Sequence, residues 1–336
     1  MNYFIKIYSN KPKEDINQIV ETMGYRNLAP DWKGNGAVTR FMVKVWGVIN
    51  ILIRMKRNDI LLIQYPMKKF YTPACIFAHL KGGKVVTLIH DLGSFRRKKL
   101  TAAHENKRLS HSDYIIVHNE NMKAFLEQHG CKVKLSCLCL FDYLSPAIPA
   151  TYSTPHAPWK IVYAGGLGFN RNPFLYELDE HIKNWTMELF GKDFDKSQAD
   201  TWEHIHFNGL LPPDKLLETV QGDFGLVWDG NSINECSGNW GEYLRVNNPH
   251  KTSFYLRSNI PVIIWKQAAL ASFIEKNKVG FCVNSLVEIN EVLKNTTQEE
   301  YNVMKKNAQK MGQKIANGYF TQEALLKAEE YLHKNN

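Results

Sequence analysis

The sequence predicts an α/β protein of two Rossmann-like, doubly wound domains that face each other across a cleft. Three observations predict it. Short, almost wholly apolar runs alternate with helix-periodic stretches, the texture of parallel sheets covered on both faces. The alternation occurs twice, once on each side of a proline-rich tract. The 336 residues also suffice for two domains of ordinary size, each with its own core.

In the first half, Tyr3-Phe4-Ile5-Lys6-Ile7-Tyr8 reads as a strand, and residues 38–55 are periodic enough for a long amphipathic helix. Ile60-Leu61-Leu62-Ile63-Gln64-Tyr65, Val85-Val86-Thr87-Leu88-Ile89 and Tyr114-Ile115-Ile116-Val117 read as buried strands. Residues 73–80 and 121–129 read as helices beside them. Pro146, Pro149, Pro155 and Pro158, with Thr151, Ser153 and Thr154 between them, support no regular structure. The second half restarts the pattern with strands at 160–163, 187–191, 204–207, 224–228, 260–264 and 280–283. A last helix is expected over 321–333, with the option of crossing back to the first domain. The predicted boundaries are 1–146, a linker at 147–158, a second domain at 159–318, and a C-terminal helix at 319–336.

Composition is that of a globular protein, with 44% hydrophobic residues and no low-complexity tract. No apolar stretch has the length of a membrane span, since residues 41–53 are broken by Lys44 and followed by Arg54, Lys56 and Arg57. The N-terminus shows no signal-peptide pattern, so the expected location is the cytoplasm. The net charge of +9 is one-sided: residues 1–150 hold a balance of +12 and residues 151–336 a balance of −3. Dense runs occur at Lys68-Lys69 and Arg96-Arg97-Lys98-Lys99. Such a field suits an anionic membrane surface or a lipid-phosphate acceptor, or is a solvated face with no partner. No nucleic-acid motif accompanies it, so no nucleic-acid partner is expected. Six scattered cysteines without a CxxC pair read as buried, reduced thiols rather than metal ligands.

The candidate binding residues sit after strands. Asn247-Asn248-Pro249-His250-Lys251-Thr252 reads as a helix start with Asn248 as N-cap and Pro249 at the first helical position. His250 and Lys251 then stand beside unpaired N–H groups and the positive end of the helix dipole. A cation there costs roughly 0.3–1 kcal/mol unless an anion neutralises it, which suits a diphosphate site. The alternative is an ordinary solvated helix start. Gly165, Gly166 and Gly168, directly after the first strand of the second domain, form a glycine loop that either cradles a phosphate or makes a tight turn. Arg171 adds charge there or lies on the surface. Asp229 ends a strand, where it accepts from a ribose or sugar hydroxyl or caps a loop. Tyr243, beside Glu242, lies in the segment ahead of the phosphate helix, in reach of ribose or base.

In the first domain, Ile89-His90-Asp91 and Val117-His118-Asn119 end adjacent strands. Asp91 is the candidate base for an acceptor hydroxyl, with helix capping as its alternative. Asn119 reads as a cap, and Asp142 is a second candidate base. Asp193-Phe194-Asp195, flanked by lysines, reads as a solvated loop rather than a metal-holding DxD, so no metal and no cofactor are expected.

These residues resemble a known family. Gly225-Leu226-Val227-Trp228-Asp229-Gly230, Cys236-Ser237-Gly238, Tyr243-Leu244 and Asn247-Asn248-Pro249-His250-Lys251-Thr252-Ser253 are similar to bacterial β-1,6-galactofuranosyltransferases of surface-polysaccharide assembly. The likeness continues through Tyr255-Leu256, Pro261-Val262, Trp265, Ala268-Ala269-Leu270 and Gly280. Earlier pieces also fit, namely Ile89-His90-Asp91, His118-Asn119, Phe141-Asp142-Tyr143-Leu144 and Tyr163-Ala164-Gly165. Adhesin-modifying glucosyltransferases have a similar layout, with a lysine matching Lys251. The resemblance implies a GT-B fold, a UDP-sugar donor held in the second domain with Lys251 on the diphosphate, and no essential metal. It implies a glycan or polyprenyl-diphosphate-linked acceptor bound by the first domain, at the inner face of the membrane. Relatives carry a polar Asn where this chain has Gly166, so no side-chain contact is expected at that place.

The expectation is therefore a glycosyltransferase, best fitted by a galactofuranosyltransferase. A UDP-glucose-dependent enzyme on the same scaffold, a nucleotide-sugar epimerase and a non-catalytic partner subunit are the alternatives. Homo-oligomerisation stays open, and a two-lobed periplasmic binding protein is disfavoured.

Overall fold

The computed structural model describes every residue except 7–9, 31, 33–35, 97–99, 152–157 and 336. The expected strand at 3–8, the basic run at 96–99 and the linker at 147–158 thus lie partly outside the described residues. Two compact units result: residues 1–142 with 318–336, and residues 143–317.

The first unit holds a six-stranded parallel sheet of β1 (Asn2–Phe4), β2 (Arg26–Asn27), β3 (Ile60–Tyr65), β4 (Lys84–Ile89), β5 (Tyr114–Val117) and β6 (Lys134–Cys137). Its order is β2-β1-β3-β4-β5-β6. The three central strands are buried along nearly their whole length, as their unbroken apolar runs require. A long helix, Ala37–Arg54, buries Val43, Gly47, Val48 and Ile51. Helices Tyr71–Leu80 and Glu120–Gln128 stand where their periodicity placed them.

The second unit holds β7 (Trp159–Gly166), β8 (Trp185–Lys192), β9 (Ile205–Phe207), β10 (Phe224–Val227), β11 (Val262–Trp265) and β12 (Gly280–Val283). All pairs are parallel, in the order β12-β11-β10-β7-β8-β9. This is the doubly wound order of a dinucleotide-binding sheet, with its reversal between β7 and β10.

The last helix, Tyr319–Lys334, belongs to the first unit. Gly318 precedes it at φ +72°, a left-handed conformation that suits glycine. Six free cysteines are present, but only Cys75 and Cys236 are buried and Cys139 is exposed, so the expectation of buried thiols holds for two.

Candidate functional site

In an open parallel sheet, ligands bind outside the carboxyl ends of the strands at the point where strand order reverses. In the second unit that point lies between β7 and β10, and charged side chains converge on it. Lys251 Nζ lies 3.1 Å from Asp229 Oδ2. It donates to the Tyr163 hydroxyl at 2.8 Å and to the Trp228 carbonyl at 3.2 Å, and stands 4.2 Å from the Tyr163 ring centroid. Arg171 Nη2 lies 3.5 Å from the other oxygen of the same carboxylate, and its guanidinium stacks 4.0 Å from the Trp240 ring centroid. Two cations thus share one carboxylate, leaving an excess positive charge.

Burial pulls the Lys251 ammonium below the ordinary lysine range; Asp229 opposes this and Arg171 adds to it. An incoming anion would favour the charged form.

Local packing explains why these groups meet. Gly225 has no side chain, and a Cβ there would stand 2.2 Å from the Tyr255 ring. Tyr255 therefore lies flat against β10, accepting from Ala164 N at 2.9 Å and donating to Leu226 O at 3.1 Å. Asn172 ties the two strand ends above it, donating to Gly166 O at 2.8 Å and accepting from Gly230 N at 3.2 Å.

Two expectations need correction. Gly165 and Gly166 are not a loop but the last two residues of β7, paired with Gly191 and Lys192 of β8. A Cβ at Gly166 would stand 3.0 Å from Arg171 Nη1, so the glycine leaves room for the guanidinium. The helix also begins one residue later than expected. It spans His250–Arg257 with Pro249, not Asn248, in the cap position at ψ 131°. Asn248 is buried just ahead of it.

The other candidates are distributed as follows. His250 stacks on Tyr143, with centroids 5.1 Å apart, and Tyr243 is buried. Thr252 is buried in the first turn, and its hydroxyl has no hydrogen-bond partner among the described residues. Asn247 Oδ1, just before the helix, is likewise buried without one. Tyr163 was noted only as part of a resembling segment, and Asn172 and Trp240 were not singled out from the sequence. An Asn directly before Pro173 was the visible signal for Asn172.

In the first unit, Asp91 follows β4 and lines a cavity of about 240 Å³ with Lys68, Lys69, Arg108 and Glu105. Glu105 pins the segment after Asp91 by accepting from Gly93 N and Ser94 N, each at 2.9 Å. Beside it, Gln64 donates to Asn17 Oδ1 at 2.7 Å and accepts from His90 Nε2 at 2.7 Å. A polar residue inside the otherwise apolar β3 was the signal for this network. Lys13 is buried next to it; burial and Lys44 lower its pKa to about 8, and Asp91 partly restores it. His118 is buried, donates to Ile89 O at 3.0 Å, and is held neutral by burial with a pKa of about 4. Asn119 caps Glu120–Gln128 by accepting from Met122 N at 2.9 Å.

Asp142 is not an open base. It is buried, and its two oxygens accept from Phe320 N at 3.2 Å and Thr321 N at 2.7 Å, which caps the last helix. Desolvation raises its pKa to about 6 against these hydrogen bonds.

Among the described residues, no group of three or more His, Cys, Asp or Glu could hold a metal ion. Asp193 pairs with Lys192 at 3.7 Å in an exposed turn, and Asp195 caps residues 196–198.

Comparison with known proteins agrees with this fold. The family model "Glucosyltransferase 3-like, N-terminal domain" matches residues 5–139, and "Glucosyltransferase 3-like, C-terminal domain" matches residues 161–328. The chain is 31% identical to beta-1,6-galactofuranosyltransferase WbbI of Escherichia coli (strain K12), over 94% of this chain and 92% of that one. It is 28% identical to glucosyltransferase 3 of Streptococcus gordonii, over 97% of this chain and 87% of that one. Among solved structures, Anabaena Alr3699/HepE in complex with UDP-glucose superposes with a TM-score of 0.60 at 10% identity, covering 98% and 99% of the two chains. That likeness is one of fold, the GT-B arrangement of two Rossmann-like domains.

Proposed function

The chain belongs to the glucosyltransferase 3-like family of glycosyltransferases, and from that premise we propose that it transfers galactofuranose from a UDP-sugar to a hydroxyl of a glycan acceptor. The proposed acceptor is a glycan, free or polyprenyl-diphosphate-linked, of surface-polysaccharide synthesis. The choice of sugar is supported by the 31% identity to a galactofuranosyltransferase over nearly the whole chain.

The observation that carries the donor site is the cluster of Lys251, Arg171 and Asp229 at the switch point of the second sheet. The diphosphate takes the place beside Lys251 and Arg171, with the unsatisfied Thr252 hydroxyl and the start of helix His250–Arg257 as further donors. Asp229 is the counter-ion of these two cations and accepts from a donor hydroxyl once they turn to phosphate. Tyr243, Asn248 and His250 shape the walls, and the backbone of Gly165 and Gly166 lets the diphosphate approach closely.

In the reaction, the acceptor oxygen forms a bond to the anomeric carbon as the bond from that carbon to the diphosphate oxygen breaks. Asp91 of the first unit takes the acceptor proton. UDP leaves with the bonding pair, and its charge is stabilised by Lys251 and Arg171 without a metal. A UDP-glucose-dependent reaction is the second reading, favoured by the 28% identity to a glucosyltransferase over 97% of the chain.

The test is turnover of UDP-galactofuranose, UDP-glucose and UDP-galactopyranose with EDTA present and Lys251→Ala as control. Transfer from the furanose donor alone supports the proposal. Transfer from UDP-glucose alone selects the second reading, and loss of all turnover in EDTA rejects metal independence.

A further inference from the structure

Helix Ala37–Arg54 packs one face on the sheet and turns an apolar face outward. Gly47 sits on the packed side, where a Cβ would stand 2.9 Å from Ile5. On the outward side lie Val38, Phe41, Met42, Trp46, Ile49 and Ile53, with Val38 77% and Ile53 67% exposed. Their spacing at three and four residues makes a single stripe along the helix. Trp32 extends it, edge-on to Trp46 with centroids 6.4 Å apart. A continuous exposed stripe of this kind marks an interaction surface rather than scattered surface hydrophobics.

The surroundings say what covers it. Helix Ala37–Arg54 carries Arg40, Lys44 and Arg54 and no acidic residue. Lys69 stands 4.6 Å from the Phe41 ring centroid, at the edge of the stripe. Lys44 is held below the ordinary lysine range by burial, then by its neighbours Lys68 and Arg40, a crowding of cations that an anion relieves. A two-fold contact with a second copy would set these cations against themselves. A surface of anionic headgroups over acyl chains matches both the apolar stripe and the basic rim. No helix of the described residues is long and apolar enough to cross a membrane, so the element lies on the surface.

We propose that the outward face of helix Ala37–Arg54, with Trp32 and its basic rim, docks on an anionic lipid bilayer. This goes beyond the transferase reading and does not depend on the donor sugar. It places the acceptor-binding unit at the headgroup level.

The test is flotation of the full chain with vesicles of equal parts phosphatidylethanolamine and phosphatidylglycerol, and with phosphatidylcholine vesicles. Binding to the anionic vesicles that weakens with salt is expected, with little binding to phosphatidylcholine. The triple variant Val38→Ser, Ile49→Ser, Ile53→Ser should partition at least about tenfold more weakly. Its circular dichroism and UDP affinity should be unchanged, because these side chains lie on the surface and outside the donor site. No flotation of the parent chain, or equal flotation of the triple variant, would overturn the proposal. A parent dimer that the triple variant dissociates, without vesicle binding, would also overturn it and assign the face to a second copy.

Discussion

Lys251 and Asp229 form an ion pair at 3.1 Å, both largely buried, at the point where the second sheet reverses its strand order. Each was a separate candidate in the sequence, one for phosphate and one for a hydroxyl. Together they describe a site whose positive charge is held by an internal carboxylate until an anion arrives.

Replacing that carboxylate tests the arrangement. Asp229→Asn leaves Lys251 and Arg171 facing each other without a counter-ion, at a cost of about 3 kcal/mol. Pyrophosphate or UDP should recover much of that loss, since a ligand that binds only the folded state stabilises it. Thermal unfolding should therefore show a larger gain in Tm on adding pyrophosphate to the variant than to the parent. An equal gain would mean that Asp229 does not offset these cations.

The platform beneath the site is testable through Gly225. Gly225→Ala would force the Tyr255 ring away from β10 and loosen the hydrogen bonds that join β7 to β10. Overpacking of this kind costs about 1–3 kcal/mol, read as a lower urea midpoint. Weaker UDP binding should accompany it, because Ala164 and Trp228 flank the same site.

Asp142 gives a prediction in pH. Its folded pKa of about 6 lies above its ordinary 3.8, so the folded state holds the proton more tightly. The stability contributed by that protonation is fully present below pH 3.8 and is lost as pH rises through about 6. Asp142→Asn keeps an acceptor for the helix and removes the titration. Stability of the parent relative to this variant should fall across that window in urea titrations, whereas a flat difference would remove the buried carboxyl from the account. Asp142→Ala should cost about 1 kcal/mol through the lost cap above pH 6, and more as pH falls below that.

Asp91→Asn tests the proposed base. Loss of general-base help should lower kcat about 10²–10⁴-fold with the donor KM nearly unchanged, measured with saturating acceptor. An unchanged kcat would remove Asp91 from the chemistry.

Much of the fold was legible because buried parallel strands are written as unbroken apolar runs. β3, β5 and β12 fall where those runs lie, and the helices at 37–54 and 319–334 follow their periodicity. The glycines at 165 and 166 were misread as a loop, since strand pairing with Gly191 depends on a partner segment that no local pattern shows. Asp142 was misread for the same reason: the helix it caps lies 178 residues further along the chain. At the site, Lys251 stood out through its place at a helix start. Its hold on Tyr163 and Asp229 came only from the folding of β7 and β10 side by side. Asn172 and Gln64 act through buried hydrogen bonds that likewise exist only in the assembled units.

The most direct measurement is calorimetric titration of UDP into the parent chain, Lys251→Ala and Arg171→Ala, with folding verified by circular dichroism. Charge-assisted contacts to the diphosphate predict at least about tenfold weaker binding for each folded variant. UDP affinity unchanged by Lys251→Ala would contradict the assignment of this cluster as the diphosphate site.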